Sequence, residues 1–277
     1  MRRLILLLLA ATAWSACTAQ AVTRLIVFGD SYSDIGRGYL DGNGPTAVAY
    51  LAQRLGSTMV PSNVKNIDGK SLNFAVSGAQ TGEGKGFETG GFLLGYGMQN
   101  QVQEFAGMVK SGRLKFDPEK TLFFIAGGLN DSKHTTDDSI SNLTAEIAIL
   151  YALGARRFEV AILPESIPGF HNVAARLNPS LAMIPQMMKP KLPEAQIRSS
   201  QWGAYFDEVM AHPAKYGIVN TTDRCAGREI RHEDTTPCAK PETYFYYHEQ
   251  HPSTATQKAV GDMLYDELKR YGGVASR

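Results

Sequence analysis

The chain has 277 residues, 43% of them hydrophobic and 20% charged, with 28 basic and 27 acidic side chains and a net charge of +1. That length and apolar content let one large domain bury its own core and exclude a disordered chain. Balanced charge without a basic run argues against nucleic acid as a partner.

The amino terminus reads as an export leader. Arg2 and Arg3 precede the apolar run Leu4–Ala13, and Ala19-Gln20-Ala21 has the small-x-small form of a cleavage site. Residues 1–21 are expected to be removed, leaving a single domain over residues 22–277. The apolar run is too short for a permanent span, and no other transmembrane segment is evident. The expected destination is secreted or periplasmic. The alternative is a lipoprotein anchored through Cys17, although Trp14 stands where leucine is expected for such a signal.

Beyond the leader, short apolar runs alternate with helical spacing. The first expected strand is Arg24–Gly29 and the first helix Thr46–Leu55, followed by a strand over Ser71–Val76 and a helix over Gln99–Lys110. Next come a strand at Thr121–Ala126, a helix at Ser139–Leu153 and a strand at Arg157–Leu163. A strand at Ala195–Ser199 and helices at Trp202–Ala211 and Thr254–Tyr271 complete the series. The runs at 121–126 and 158–163 are largely apolar, as parallel strands covered on both faces require. Such alternation predicts an α/β fold with a parallel sheet.

Three stretches read as irregular. Gly78 to Gly97 contains eight glycines and shows no β–α unit. Pro164 to Gln196 is broken by prolines, among them Pro179 and Pro185. Thr221 to Thr243 holds Cys225 and Cys238, an even pair that is expected to form a disulfide in an oxidising compartment.

Four segments carry chemistry. Ser31 ends Gly29-Asp30-Ser31 after the first strand. Gly78 follows Asn73-Phe-Ala-Val-Ser, and Asn130 lies in Gly128-Leu-Asn-Asp131 after the strand at 121–126. His251 stands in His248-Glu249-Gln250-His251-Pro252, just before the last helix. A serine hydroxyl needs a base to take its proton, and histidine is the usual one near neutral pH. The resulting oxyanion needs fixed donors, which Ser31 N–H, Gly78 N–H and the Asn130 amide offer from three strand ends. No metal is expected: the two histidines are three apart, ahead of a proline, and not four apart on one helix face.

These blocks, in this order, resemble the GDSL, or SGNH-hydrolase, family of esterases and lipases. The resemblance spans nearly all the mature chain. It implies a flavodoxin-like three-layer α/β/α fold with a central parallel sheet of about five strands. It also implies Ser31 as nucleophile, His251 as base, an oxyanion hole of Ser31, Gly78 and Asn130, and no cofactor. The chain departs from the family at position 248, where His248 replaces the usual Asp of Asp-x-x-His.

Three arrangements could then orient His251: a backbone carbonyl or water, which is the favoured one; a substitute carboxylate such as Glu249; or an anion from solution. If position 248 faces His251, His248→Asp should preserve or raise turnover. The expected activity is hydrolysis of a small-molecule, lipid or acetylated-carbohydrate ester. The rival reading is a non-catalytic carbohydrate- or lipid-binding protein that keeps the hydrolase fold. Oligomeric state is not legible in the sequence.

Overall fold

The computed structural model describes residues 20–274. The leader, apart from Gln20 and Ala21, and Cys17 lie outside the described residues. In chain order the elements are β1 (Arg24–Gly29), α1 (Ala47–Arg54), β2 (Met59–Pro61), β3 (Ser71–Asn73), β4 (Lys85–Thr89), β5 (Phe92–Tyr96) and α2 (Met98–Lys110). Then follow β6 (Thr121–Ala126), α3 (Thr136–Ala152), β7 (Arg157–Ala161), α4 (His171–Met188), β8 (Gln196–Ser200) and α5 (Trp202–Ala211). The series ends with β9 (Asn220–Arg224), β10 (Tyr244–His248), β11 (His251–Pro252) and α6 (Thr254–Arg270).

The main sheet has six strands in the order β2-β3-β1-β6-β7-β8, all parallel. Five coincide with the expected strands; the sixth, β2, is a three-residue edge strand too short to leave a periodic signal. Helices α1, α5 and α6 pack together as one layer, and α2, α3 and α4 as the other. Every residue of β6 is buried, as a strand between two helical layers must be. Phe28, Phe74, Phe105 and Phe123 form an aromatic core at the sheet centre, with ring centroids 5.2 to 5.8 Å apart.

Strand order reverses between β1 and β6, so a crevice opens beyond their carboxyl ends, where open α/β sheets bind ligands. The two backbones approach closely there. A Cβ on Gly29 would lie 2.5 Å from the Ala126 carbonyl oxygen, which is why glycine ends β1.

Two irregular stretches prove to be ordered. Gly78–Gly97 contains the antiparallel hairpin β4–β5. Its period-2 pattern is hidden by glycines, and Gly86, Gly90, Gly91 and Gly95 all take positive φ. Pro164–Gln196 contains the 18-residue α4, with Pro179 and Pro185 inside it. Burial of Val173, Ala174, Leu177, Leu181, Ile184 and Met188 along one face outweighs the backbone bonds those prolines forfeit. The third stretch runs from β9 into a loop closed by the Cys225–Cys238 disulfide, as expected.

Candidate active site

Ser31 follows β1 in a tight turn, where Ser33 and Asp34 N–H both donate to the Asp30 carbonyl. Two buried carboxyls hold this turn. Asp30 Oδ1 accepts from Tyr32 N–H, and burial pushes Asp30 up to about 7. Asp34 accepts from the N–H groups of Gly36, Arg37, Gly38 and Ser77. Burial still outweighs those four donors and raises Asp34 to about 6. The bond from Ser77 joins the serine turn to the loop that presents Gly78. Asn73 adds a second tie, donating from Nδ2 to the Ser33 carbonyl at 2.7 Å.

Gly78 has φ +79°, a left-handed conformation that glycine adopts without the steric cost a side chain adds. Asn130 is fixed by two bonds: its Nδ2 donates to Ala79 O at 3.0 Å, and its own carbonyl accepts from Gln80 Nε2 at 3.0 Å. Each amide nitrogen carries two hydrogens, so one remains for a ligand. Among the described residues, neither Ser31 N–H nor Gly78 N–H donates to a protein acceptor.

His251 arrives from the far end of the chain. Glu249 and Gln250 form the two-residue turn between β10 and β11, with Gln250 at φ +56°. Tyr32 Oη donates to the Gln250 carbonyl at 2.6 Å and locks this turn against the serine loop. Ser253, two residues on, caps α6 by accepting from Thr256 N–H. With both flanks fixed, His251 Nε2 lies 2.9 Å from Ser31 Oγ, and His251 Nδ1 lies 2.8 Å from the Glu249 carbonyl oxygen. A carbonyl only accepts, so the proton sits on Nδ1 and Nε2 is left to accept from the serine.

Ser31, Gly78, Asn130 and His251 therefore line one cavity of about 560 Å³, with Phe87 and Leu94 of the β4–β5 hairpin, Phe170 and Ile230 on its other sides. This is the size range of small-molecule sites. The two proposed orienting positions behave differently. Glu249 serves through its backbone carbonyl, while its side chain pairs with Arg231 at 2.8 Å. The ring of His248 turns instead to Asp41, with Nδ1 2.7 Å from Oδ1.

Asp41 and Arg228 were not singled out in the sequence. Asp41 is fully buried, and Arg228 Nε donates to its Oδ1 at 3.1 Å. Asp41 stands in Leu-Asp-Gly, which reads as an ordinary turn, and Arg228 sits in the disulfide loop; neither has a spacing that links it to position 248. Burial and the Arg228 cation hold His248 down at about 4 and His251 at about 3.

The family model for the GDSL-like lipase/acylhydrolase matches residues 25–264. The chain belongs to the GDSL family. A GDSL esterase/lipase of Arabidopsis thaliana is 24% identical over 292 residues, covering 86% of this chain and 78% of its own. GDSL esterase/lipase 6 of the same plant is 22% identical over 338 residues, covering 96% and 92%. Among solved structures, an acetyl esterase mutant with acetate ion superposes with a TM-score of 0.50 at 12% identity, covering 91% of this chain and 98% of that one. At that identity the likeness is one of fold. Among the described residues of this GDSL protein, no helix is long and apolar enough to cross a membrane.

Proposed function

We propose that this GDSL-family ester hydrolase works through an acyl-enzyme on Ser31, with His251 as general base. The observation that carries the reading is the 2.9 Å approach of His251 Nε2 to Ser31 Oγ, across 220 residues of chain, at the mouth of the cavity. Ser31 Oγ attacks the ester carbonyl as its proton passes to Nε2. The oxyanion forms against Ser31 N–H, Gly78 N–H and the Asn130 amide. Nε2 returns the proton to the departing alcohol as the C–O bond breaks, and water, deprotonated by the same nitrogen, then releases the acid. No cofactor takes part in these steps.

The cavity suits a small acyl group, since apolar walls from Phe87, Leu94 and Phe170 face the polar cradle. Short-chain esters and acetylated carbohydrates present that group, whereas a lipid ester would bring a longer acyl chain. The working protein is the exported single domain over residues 22–277; the leader pattern and the Cys225–Cys238 disulfide support this.

The test is initial hydrolysis of p-nitrophenyl acetate by the chain lacking residues 1–21, beside Ser31→Ala, with fluorophosphonate labelling of both. Turnover and labelling that vanish together in the variant support the serine mechanism. Equal background rates and no labelling of the parent would favour the binding-protein reading.

A further inference from the structure

His248 removes the family's usual carboxylate, yet a buried carboxylate still stands beside the base. We propose that Asp41 is the positioning residue that stabilises the charged form of His251 during turnover, and that His248 serves to hold Asp41. The proposal rests on the Ser31–His251 reading above and adds to it the group that carries the compensating charge.

Two segments distant from it in sequence converge on Asp41. Its Oδ1 is held by His248 Nδ1 at 2.7 Å, from the end of β10, and by Arg228 Nε at 3.1 Å, from the disulfide loop. Its Oδ2 faces Arg228 Nη2 and lies 3.2 Å from His251 Nε2, an ion-pair distance that lacks hydrogen-bond alignment. Asp41 thus sits on the Nε2 side of the ring. The Nδ1 side is already taken by the Glu249 carbonyl. Orientation and charge compensation, usually combined in one aspartate at position 248, are here divided between a backbone carbonyl and a remote carboxylate.

The arrangement favours the reacting state over the resting one. At rest Nε2 has no hydrogen, so it offers Asp41 only a lone pair. Once Nε2 takes the serine proton, a cation lies 3.2 Å from a carboxylate oxygen in a buried site, and the contact becomes attractive. An interaction that strengthens as charge develops raises turnover, not merely binding. His248 is suited to its role because its Nδ1 reaches Asp41 Oδ1 at 2.7 Å, while burial disfavours a second cation there. The Arg228 guanidinium lies against the Oδ2 of buried Asp41 and tempers its pull on His251.

The groups that face His251 are Ser31 and Tyr32 after β1, Asp41 before α1, Arg228 and Arg231 on the disulfide loop, and His248 and Glu249 at the end of β10. Arg231 and Glu249 pair with each other. Asp41 and Arg228 therefore set the local charge in opposite senses, which gives the test its sign.

The experiment is the pH dependence of kcat/KM for p-nitrophenyl acetate with the parent chain, Asp41→Asn and Arg228→Gln. Without the carboxylate, charged His251 is less stable, so Asp41→Asn is expected to move the acid limb to lower pH. It should also lower kcat about tenfold or more, with KM within about twofold. Without the cation, Arg228→Gln is expected to move the same limb to higher pH. A general loss of structure scales the profile without moving its limb in two directions. Limbs that stay in place, or that move the same way in both variants, overturn the proposal. Should Asp41→Asn fail to fold, Arg228→Gln decides alone: a limb at higher pH supports the proposal, and one unmoved or lower overturns it. Turnover retained in Ser31→Ala would instead overturn the serine mechanism, whatever Asp41 does.

Discussion

Restoring the family's aspartate at position 248 is expected to harm this protein. From sequence alone His248→Asp looks benign or helpful, because the new carboxylate would face His251. In the fold, the side chain at 248 faces Asp41, and His251 Nδ1 already has its acceptor. The substitution removes a hydrogen bond to a buried carboxylate, a loss of about 1.5–3 kcal/mol. It also places a second anion beside the first. At a separation of ~5 Å and an effective dielectric of ~20, that repulsion reaches about 3 kcal/mol before Arg228 offsets part of it. A net destabilisation of roughly 2–4 kcal/mol at pH 8 follows. The crowded pair holds a proton more tightly when folded than when unfolded. Its cost is therefore absent at low pH and grows as pH rises through the raised folded value. Urea unfolding at pH 5 and pH 8, with kcat/KM measured alongside, reads both parts. The expected variant is weaker than the parent at both pH values, by more at pH 8 than at pH 5, and slower at both. A variant as stable as the parent at pH 8, with equal or higher turnover, would refute the pairing of His248 with Asp41 on which this reasoning depends.

Other outcomes follow from the same geometry. Asn130→Ala should lower kcat by about 100- to 1000-fold with little change in KM, because one oxyanion donor is lost. Its melting temperature should also drop through loss of the bond to Ala79, and a kcat within tenfold of the parent would count against Asn130 as a donor. Glu159 is buried with both oxygens unpartnered, and burial and Glu267 push it from 4.5 up to about 8. Its folded pKa is raised, so its contribution is fully present below 4.5 and is lost as pH rises through about 8. Glu159→Gln should therefore be stabilised by roughly 2–4 kcal/mol at pH 9 and scarcely at all at pH 4, as thermal melts would show. Reduction of Cys225–Cys238, which spans 13 residues, should cost about 3 kcal/mol of stability. It should also weaken activity by releasing the loop that carries Arg228; a reduced enzyme with parental turnover would show that the loop holds without the bridge. Gly29→Ala should destabilise by about 1–3 kcal/mol in urea unfolding, since its Cβ would press on Ala126 O.

Local pattern determined a good deal of this protein. Apolar runs marked β1, β6 and β7, because a strand covered on both faces has to be largely apolar. Ser31, Gly78, Asn130 and His251 were legible because each follows or precedes an element in a short block of characteristic residues. Where local signals conflict with packing, the sequence misleads. Pro179 and Pro185 argue against α4, and glycines obscure the β4–β5 hairpin, yet both elements form: buried side chains hold the helix, and cross-strand pairing with positive-φ glycines holds the hairpin. The partner of position 248 lay beyond sequence reasoning altogether. Asp41 and His248 are 207 residues apart, and Arg228 comes from a third segment, so only folding decides that their side chains meet. A motif records what one stretch of chain presents; which charge it meets depends on how distant loops pack over the sheet. Sequence thus singled out Ser31, His251 and the strand ends that present them. Tertiary structure alone decided which carboxylate lies beside His251, because burial and electrostatics act through space.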